Sequence, residues 1–173
     1  SFKIQLSAGQ FLYALAEQED YDLITAVFAP DGKQVSEADS PNGGWGYEPI
    51  IVVASVPGEY RVEVRSGNKT RSGKYRIKIV ALRDATAIDK GHAAAQSAFE
   101  EARRVIKQQN AAATRQALEK YEQALPLFKA AGDTYRQALT ALSIGSALYA
   151  SNDYRKALSY FNDALSLAVA IGD

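Results

Sequence analysis

Two hydrophobic rhythms divide this chain. From Phe2 to about Arg83 apolar residues recur with a period near two, broken by Gly, Pro, Asn and Asp; from about Ala87 onward the period is helical. In the first stretch, residues 10–16 set Phe11, Tyr13 and Leu15 against smaller side chains, and residues 34–40 read as a short polar strand. Residues 23–28 and 50–54 are solid apolar runs, the pattern of strands covered on both faces. Pro30-Asp31-Gly32 and Pro57-Gly58 supply turns, with proline preset in φ and glycine free to take positive φ. Over residues 59–65, Tyr60, Val62 and Val64 share one face. Across the 66–72 loop Tyr75, Ile77 and Ile79 answer them, with Arg76 and Lys78 turned outward. About seven short strands with frequent turns predict an antiparallel sandwich.

The second stretch predicts four helices, over residues 87–109, 112–131, 134–150 and 154–171. Ala95, Ala98, Phe99, Ala102, Val105 and Ile106 form one stripe; Leu118, Tyr121, Leu125 and Phe128 form the next. Gly132 is suited to end the second helix and Asp133 to cap the third. At the change of rhythm, Thr86 and Asp89 have capping-box spacing, so the first helix is expected to start against the sandwich edge. Pro126 lies inside the second helix, where a missing donor and a ring clash predict a bend. Small residues (Ala102, Ala117, Ala124, Ala138, Ala157, Ala164) let helices approach closely, with Tyr121, Phe128, Leu148 and Phe161 filling the spaces.

The helical half also repeats itself. Shifting the chain by 40 residues lays Arg115–Asp133 on Arg155–Asp173, with nine of nineteen positions identical. A fixed period in Ala and Leu is the mark of stacked helix pairs. These patterns predict an α+β chain of two domains: an antiparallel β-sandwich over 1–83, then a helical array over 84–173. Within the array, residues 87–131 form a degenerate first pair and 133–171 a second. The last helix keeps an apolar face (Leu158, Leu165, Val169, Ile171) that two pairs do not cover. A further repeat or a second molecule is expected there, which makes self-association a candidate property. Strand-like sequence at Ser1 and a repeat about to restart at Asp173 suggest a piece of a longer protein.

Composition narrows the chemistry. Twenty basic residues balance twenty acidic ones, so no electrostatic footprint for nucleic acid or anionic lipid is expected. The absence of cysteine removes thiolate chemistry, disulfides and Cys-ligated zinc. A lone histidine, His92, leaves little material for a triad or a histidine metal cluster, and it reads as an exposed helix residue. No apolar run reaches the roughly 20 residues of a membrane span. Asp20, Asp22, Asp31, Asp39 and Glu48 offer oxygen ligands, yet without EF-hand spacing. No catalytic, cofactor-binding or metal residues are therefore expected. One loop stands apart: residues 40–49 are glycine-rich and hold the only tryptophan. Trp45 and Tyr47 either fold back as a plug over the sandwich or form a platform for a sugar ring or peptide.

Gly145, Ala157, Phe161 and Ala164, with Ile144 and Leu148, have a spacing that resembles the tetratricopeptide repeat. Val105 stands where glycine is expected in the first pair. FAPDGKQVSEADSPNG, GEYRVEVRS, GKYRIKIVALRDAT and YEQALPLFKAAGD, in that order, resemble the N-terminal region of large bacterial repeat proteins with a C-terminal caspase-like CHAT domain. In those proteins the leading sandwich is similar to the bacterial pre-peptidase C-terminal (PPC) type, and an export signal often precedes it. The resemblance implies a non-catalytic scaffold with a protein or peptide partner. By family register its groove would be lined by Phe99, Ala102, Ile106 and Gln109, and by Leu139, Leu142, Ser146 and Tyr149. The same residues packing against neighbouring repeats is the competing reading. Where chaperone-binding relatives clamp a carboxylate with Lys and Asn, Leu142 and Ser146 stand here, which favours an apolar peptide or helix. The alternative function is carbohydrate or cell-envelope binding through Trp45 and Tyr47.

Overall fold

The computed structural model describes residues 1–18, 22–41, 46–67 and 74–172. Seven strands come first: β1 (Phe2–Leu6), β2 (Gln10–Gln18), β3 (Leu23–Phe28), β4 (Gln34–Ala38), β5 (Tyr47–Val53), β6 (Gly58–Ser66) and β7 (Tyr75–Asp84). Four helices complete the chain: α1 (Ala87–Ile106), α2 (Ala111–Ala131), α3 (Thr134–Ala150) and α4 (Tyr154–Ile171). The chain divides into two compact units, Ser1–Ala93 and Ala94–Asp173, and α1 contributes to both.

In the first unit the strands form two antiparallel sheets, one ordered β1-β6-β3-β4 and the other β5-β2-β7. Alternation is what lets each sheet turn an apolar face inward. Leu12 and Ala14 of β2, Ile50 and Val52 of β5, Val27 of β3 and Tyr60 and Val62 of β6 meet in one buried cluster. A second, smaller cluster holds Ala16 and Leu23. Thr25, buried on β3, donates its hydroxyl hydrogen to the Pro49 carbonyl of β5 at 2.7 Å, a polar tie from sheet to sheet.

The turns obey their sequences. In the β3–β4 connection the Gly32 amide donates to the Ala29 carbonyl at 2.8 Å, Asp31 Oδ1 accepts from the Lys33 amide at 2.9 Å, and Gly32 takes φ 83°. At Gly58 the constraint is space as well as φ. A Cβ there would fall 2.7 Å from Cγ of Pro30.

Two features depart from the simple alternation. The facing runs in β6 and β7 are not partners in one sheet: β6 pairs with β1 and β3, and β7 pairs with β2. They answer each other across the core, where Ile77 packs against both buried clusters. The β2–β7 register also slips, with Tyr13 opposite Ala81 and Ala14 opposite Ile79, leaving Val80 as the extra residue of a bulge.

The start of α1 belongs to this unit. Asp89 closes the capping box: its Oδ2 accepts from the Thr86 amide at 2.8 Å and the Thr86 hydroxyl at 2.7 Å, while Thr86 Oγ1 accepts from the Asp89 amide at 3.2 Å. Arg83, near the end of β7, grips the same carboxylate with both terminal guanidinium nitrogens, Nη1 and Nη2, at 2.5 and 2.9 Å. His92 is buried, not exposed. Its ring meets Tyr13 edge-on at 5.0 Å and lies 6.2 Å from Phe11, so the first turns of α1 rest on the face of the central strand β2. A helix entering across a sheet face hides its inward side even when that side carries a polar ring.

Burial raises the Asp89 pKa, but the hydrogen bonds from Arg83 and Thr86 outweigh it and hold the group at about 2, below its ordinary 3.8. A depressed carboxylate pKa stabilises the fold above the unfolded value, and that stability is lost as pH falls through the folded value. Asp89→Asn should therefore cost on the order of 1–2 kcal/mol at neutral pH, allowing for screening of the half-exposed Arg83. In urea titrations the wild-type and variant curves should converge as pH drops from about 4 to about 2. A difference that persisted unchanged at low pH would contradict this account.

Candidate interaction surface

Each helix of the second unit begins and ends on a residue suited to the task. Asn110, Asp133 and Asp153 accept from the amides of Ala113, Arg136 and Lys156 and so cap α2, α3 and α4. Gly132 closes α2 at φ 71°, and its amide and that of Asp133 return to carbonyls of the last turn at 3.1 and 3.0 Å. Asn152, at φ 65°, occupies the left-handed region after α3. Helix α2 continues without interruption through Pro126, which lies on the exposed side where water can serve the freed carbonyl.

The core between these helices is built from two kinds of contact. Around α1 and α2 it is aromatic, with Phe99 5.4 Å from Tyr121 and 6.3 Å from Phe128 between ring centroids. Between α3 and α4 it is a close approach at a glycine. A Cβ on Gly145 would lie 2.6 Å from ring carbons of Phe161 and 3.3 Å from the Ala157 carbonyl oxygen. The glycine is there because the neighbouring helix leaves no room for anything larger.

A buried polar group joins α1 to α3. Arg136 is fully buried; its guanidinium lies 5.2 Å from the Phe99 ring centroid and 4.0 Å from Glu100 Oε1. Gln96 Nε2 donates to the same oxygen at 3.0 Å, and Arg103 approaches the other at 3.8 Å. The Thr140 hydroxyl donates to the Arg136 carbonyl at 2.6 Å. Nearby, burial raises the Tyr121 pKa, a shift that a hydrogen bond with Ser143 partly offsets. Hydrophobic periodicity gives no sign of this cluster. The available signals were the four-residue step from Gln96 to Glu100 and the three-residue step to Arg103, which place all three on one helix face.

The expected groove residues separate into two sets. Phe99 and Ala102 are fully buried members of the helical core, packed with Tyr121 and Phe128, so they floor the array and offer no surface. Ile106 is half-buried at the end of α1, and Gln109 falls in the turn beyond it at φ 52°, because α1 stops three residues short of the expected end. On α3 the residues form a continuous stripe. Leu139 is half-buried, Leu142 is 44% exposed, Ser146 is exposed and Tyr149 is 60% exposed. Tyr149 stacks edge-on with Tyr154 of α4 at 5.2 Å, which extends the stripe onto the last helix.

The other candidates sit elsewhere. Trp45 and Asp20 lie outside the described residues, and Tyr47 is half-buried at the start of β5. The carboxylates considered for calcium do not gather: Asp31 serves its own turn, and Glu48, fully buried, accepts from the amide and hydroxyl of Ser40 at 2.9 and 2.8 Å. Among the described residues no three His, Asp or Glu side chains are placed to hold a metal ion, and no helix is long and apolar enough to cross a membrane.

The close approach at Gly145 is testable. Gly145→Ala gains up to about 1 kcal/mol of helix propensity but overfills a packed crossing, a cost of about 1–3 kcal/mol. Net destabilisation is expected in urea unfolding, and adding Phe161→Leu should recover part of it. Gly145→Ala more stable than wild type would show that α3 and α4 do not meet there.

No curated protein matches this chain. Residues 110–168, from the cap of α2 through most of α4, match the family model described as tetratricopeptide repeat.

Proposed function

We propose that this chain is a non-catalytic scaffold module whose helical unit docks a protein or peptide partner on the exposed stripe of α3. The observation that carries the reading is the stripe Leu139, Leu142, Ser146 and Tyr149. It has two large apolar side chains held in water on a helix whose opposite face is locked into the core. Tetratricopeptide repeats serve as protein interaction modules, and this stripe has the chemistry of an apolar site with two hydroxyls, those of Ser146 and Tyr149. An aromatic–aliphatic pair of this sort is suited to anchor a helix or an extended apolar segment. The resemblance to repeat proteins with a caspase-like domain would make the module a recruiter for such an activity in a longer chain. The stripe itself needs no such domain to bind.

Leu142→Glu changes an exposed position and should leave thermal stability within about 0.5 kcal/mol of wild type. Used as bait beside wild type, the variant is expected to lose the captured partners; retention of every partner would remove α3 from the interface.

A second surface supports self-association. Leu118 and Leu125 of α2 are half-buried against the helical core. Their counterparts 40 residues on, Leu158 and Leu165 of α4, are 61% and 64% exposed. Identical residues in the same helical register call for the same cover, and a second copy of the chain can supply it. Sedimentation should show concentration-dependent association that Leu165→Glu abolishes. A wild-type chain that stays monomeric at high concentration would count against it.

A further inference from the structure

We propose that the first half of β7 is a strand-addition site for an extended partner segment that alternates acidic and apolar residues. Three observations in the first unit converge on it.

The first is an unfinished sheet. The β5-β2-β7 sheet has three strands and faces one of four, and β7 is its outer strand, hydrogen-bonded only to β2 among the described residues. Its outer row of amides and carbonyls is a template for another strand. The bulge at Val80 interrupts the ladder, so the regular template is Tyr75–Ile79.

The second is an apolar cleft beneath that edge. Phe2 and Ile4 of β1, Leu12 and Ala14 of β2, and Ile77 and Ile79 of β7 line an open space of about 250 Å³. Ile79 is 54% exposed although it lies on the inward face of β7, opposite Ala14. The interior of the sandwich is open on this side because, among the described residues, no strand lies beyond β7 to close it. Apolar side chains from an added strand would fill the cleft and remove that surface from water.

The third is charge. Arg76 and Lys78 lie on the outward face of β7, and Lys74 immediately precedes the strand. Arg76 has Glu17 at 3.0 Å, whereas Lys74 and Lys78 have no ion pair among the described residues. In an added strand the side chains opposite these cations lie on the same outward face, where carboxylates pair with them across the strands. The alternating residues point into the cleft. Backbone template, cleft and charge thus specify one pattern, acidic outward and β-branched inward, over about five residues. This site goes beyond the α3 stripe and does not depend on it.

The test uses the whole chain and a short, end-capped peptide of alternating valine and glutamate. Two comparators accompany it: alternating valine and lysine, and the valine–glutamate peptide N-methylated at alternate amides. Affinity is read by fluorescence anisotropy and location by amide chemical shifts. The valine–glutamate peptide should bind and shift the amides of residues 75–79, and both comparators should bind at least about tenfold more weakly. Ile79→Asp, which places a carboxylate at the cleft mouth, should weaken binding by about tenfold or more. Lys78→Glu, at an exposed position, should weaken it about threefold. Equal binding of the N-methylated peptide, indifference to both substitutions, or shifts confined to other residues would each overturn the proposal. So would a dimer lost on Ile79→Asp but not on Leu165→Glu, since the edge would then belong to a second copy.

Discussion

Coverage is the constraint on which this structure depends. Most strands and helices here carry at least one apolar side and gain stability when a neighbour covers it. Within the sandwich β2 and β5 are covered so fully that Ile50 and Ile51, which point to opposite faces of one strand, are both buried. Within the array α2 buries Ala117, Tyr121, Ala124 and Phe128 in a single stripe. The same rule marks where cover runs out: at β7, where Ile79 and Leu82 remain in water, and at α4, where Leu158, Leu165 and Val169 do. Isolated apolar side chains on a surface mean little. Apolar residues at the spacing of an element's inward face, with no element facing them, are the ones an interface would use.

Polar groups are brought into these interiors only with partners that make them tolerable. Asp89 enters with two hydrogen bonds from Thr86 and two from Arg83, which is why burial fails to raise its pKa. In the buried cluster at Arg136, Glu100 has Arg136 at 4.0 Å and Arg103 at 3.8 Å. A buried ion pair often returns less in attraction than its charges cost to remove from water. The pair links α1 to α3 through opposite charges, Glu100 on one helix and Arg136 on the other.

Much of this was legible in the sequence because capping residues are local. Asp133 and Asp153 mark helix starts and Gly132 an end, and the α2, α3 and α4 boundaries fall within one residue of where those signals put them. The Thr86–Asp89 pair was equally readable, since a capping box needs only a fixed spacing. What stayed hidden depends on which element lies opposite. Alternation gave the inward faces of β6 and β7 correctly but could not reveal that the two strands belong to different sheets. His92 is buried because β2 presents Tyr13 and Phe11 beneath it, a long-range fact. Phe99 and Ala102 carry the stripe of a groove residue and of a core residue alike; only the positions of Tyr121 and Phe128 decide between them.

The internal repeat makes the point sharpest. Leu118 and Leu158 hold the same position in the repeat, each directly after a buried alanine, yet one is half-buried and the other open to water. The difference lies in the element stacked alongside: α3 packs next to α2, and among the described residues no helix stands in that place beside α4. A residue's burial is thus a property of its neighbour in the stack, while its fitness for burial is a property of the residue. Function in a stacked protein comes from the gap between the two. Positions fit for burial that the chain's own elements leave uncovered are the ones a partner can use.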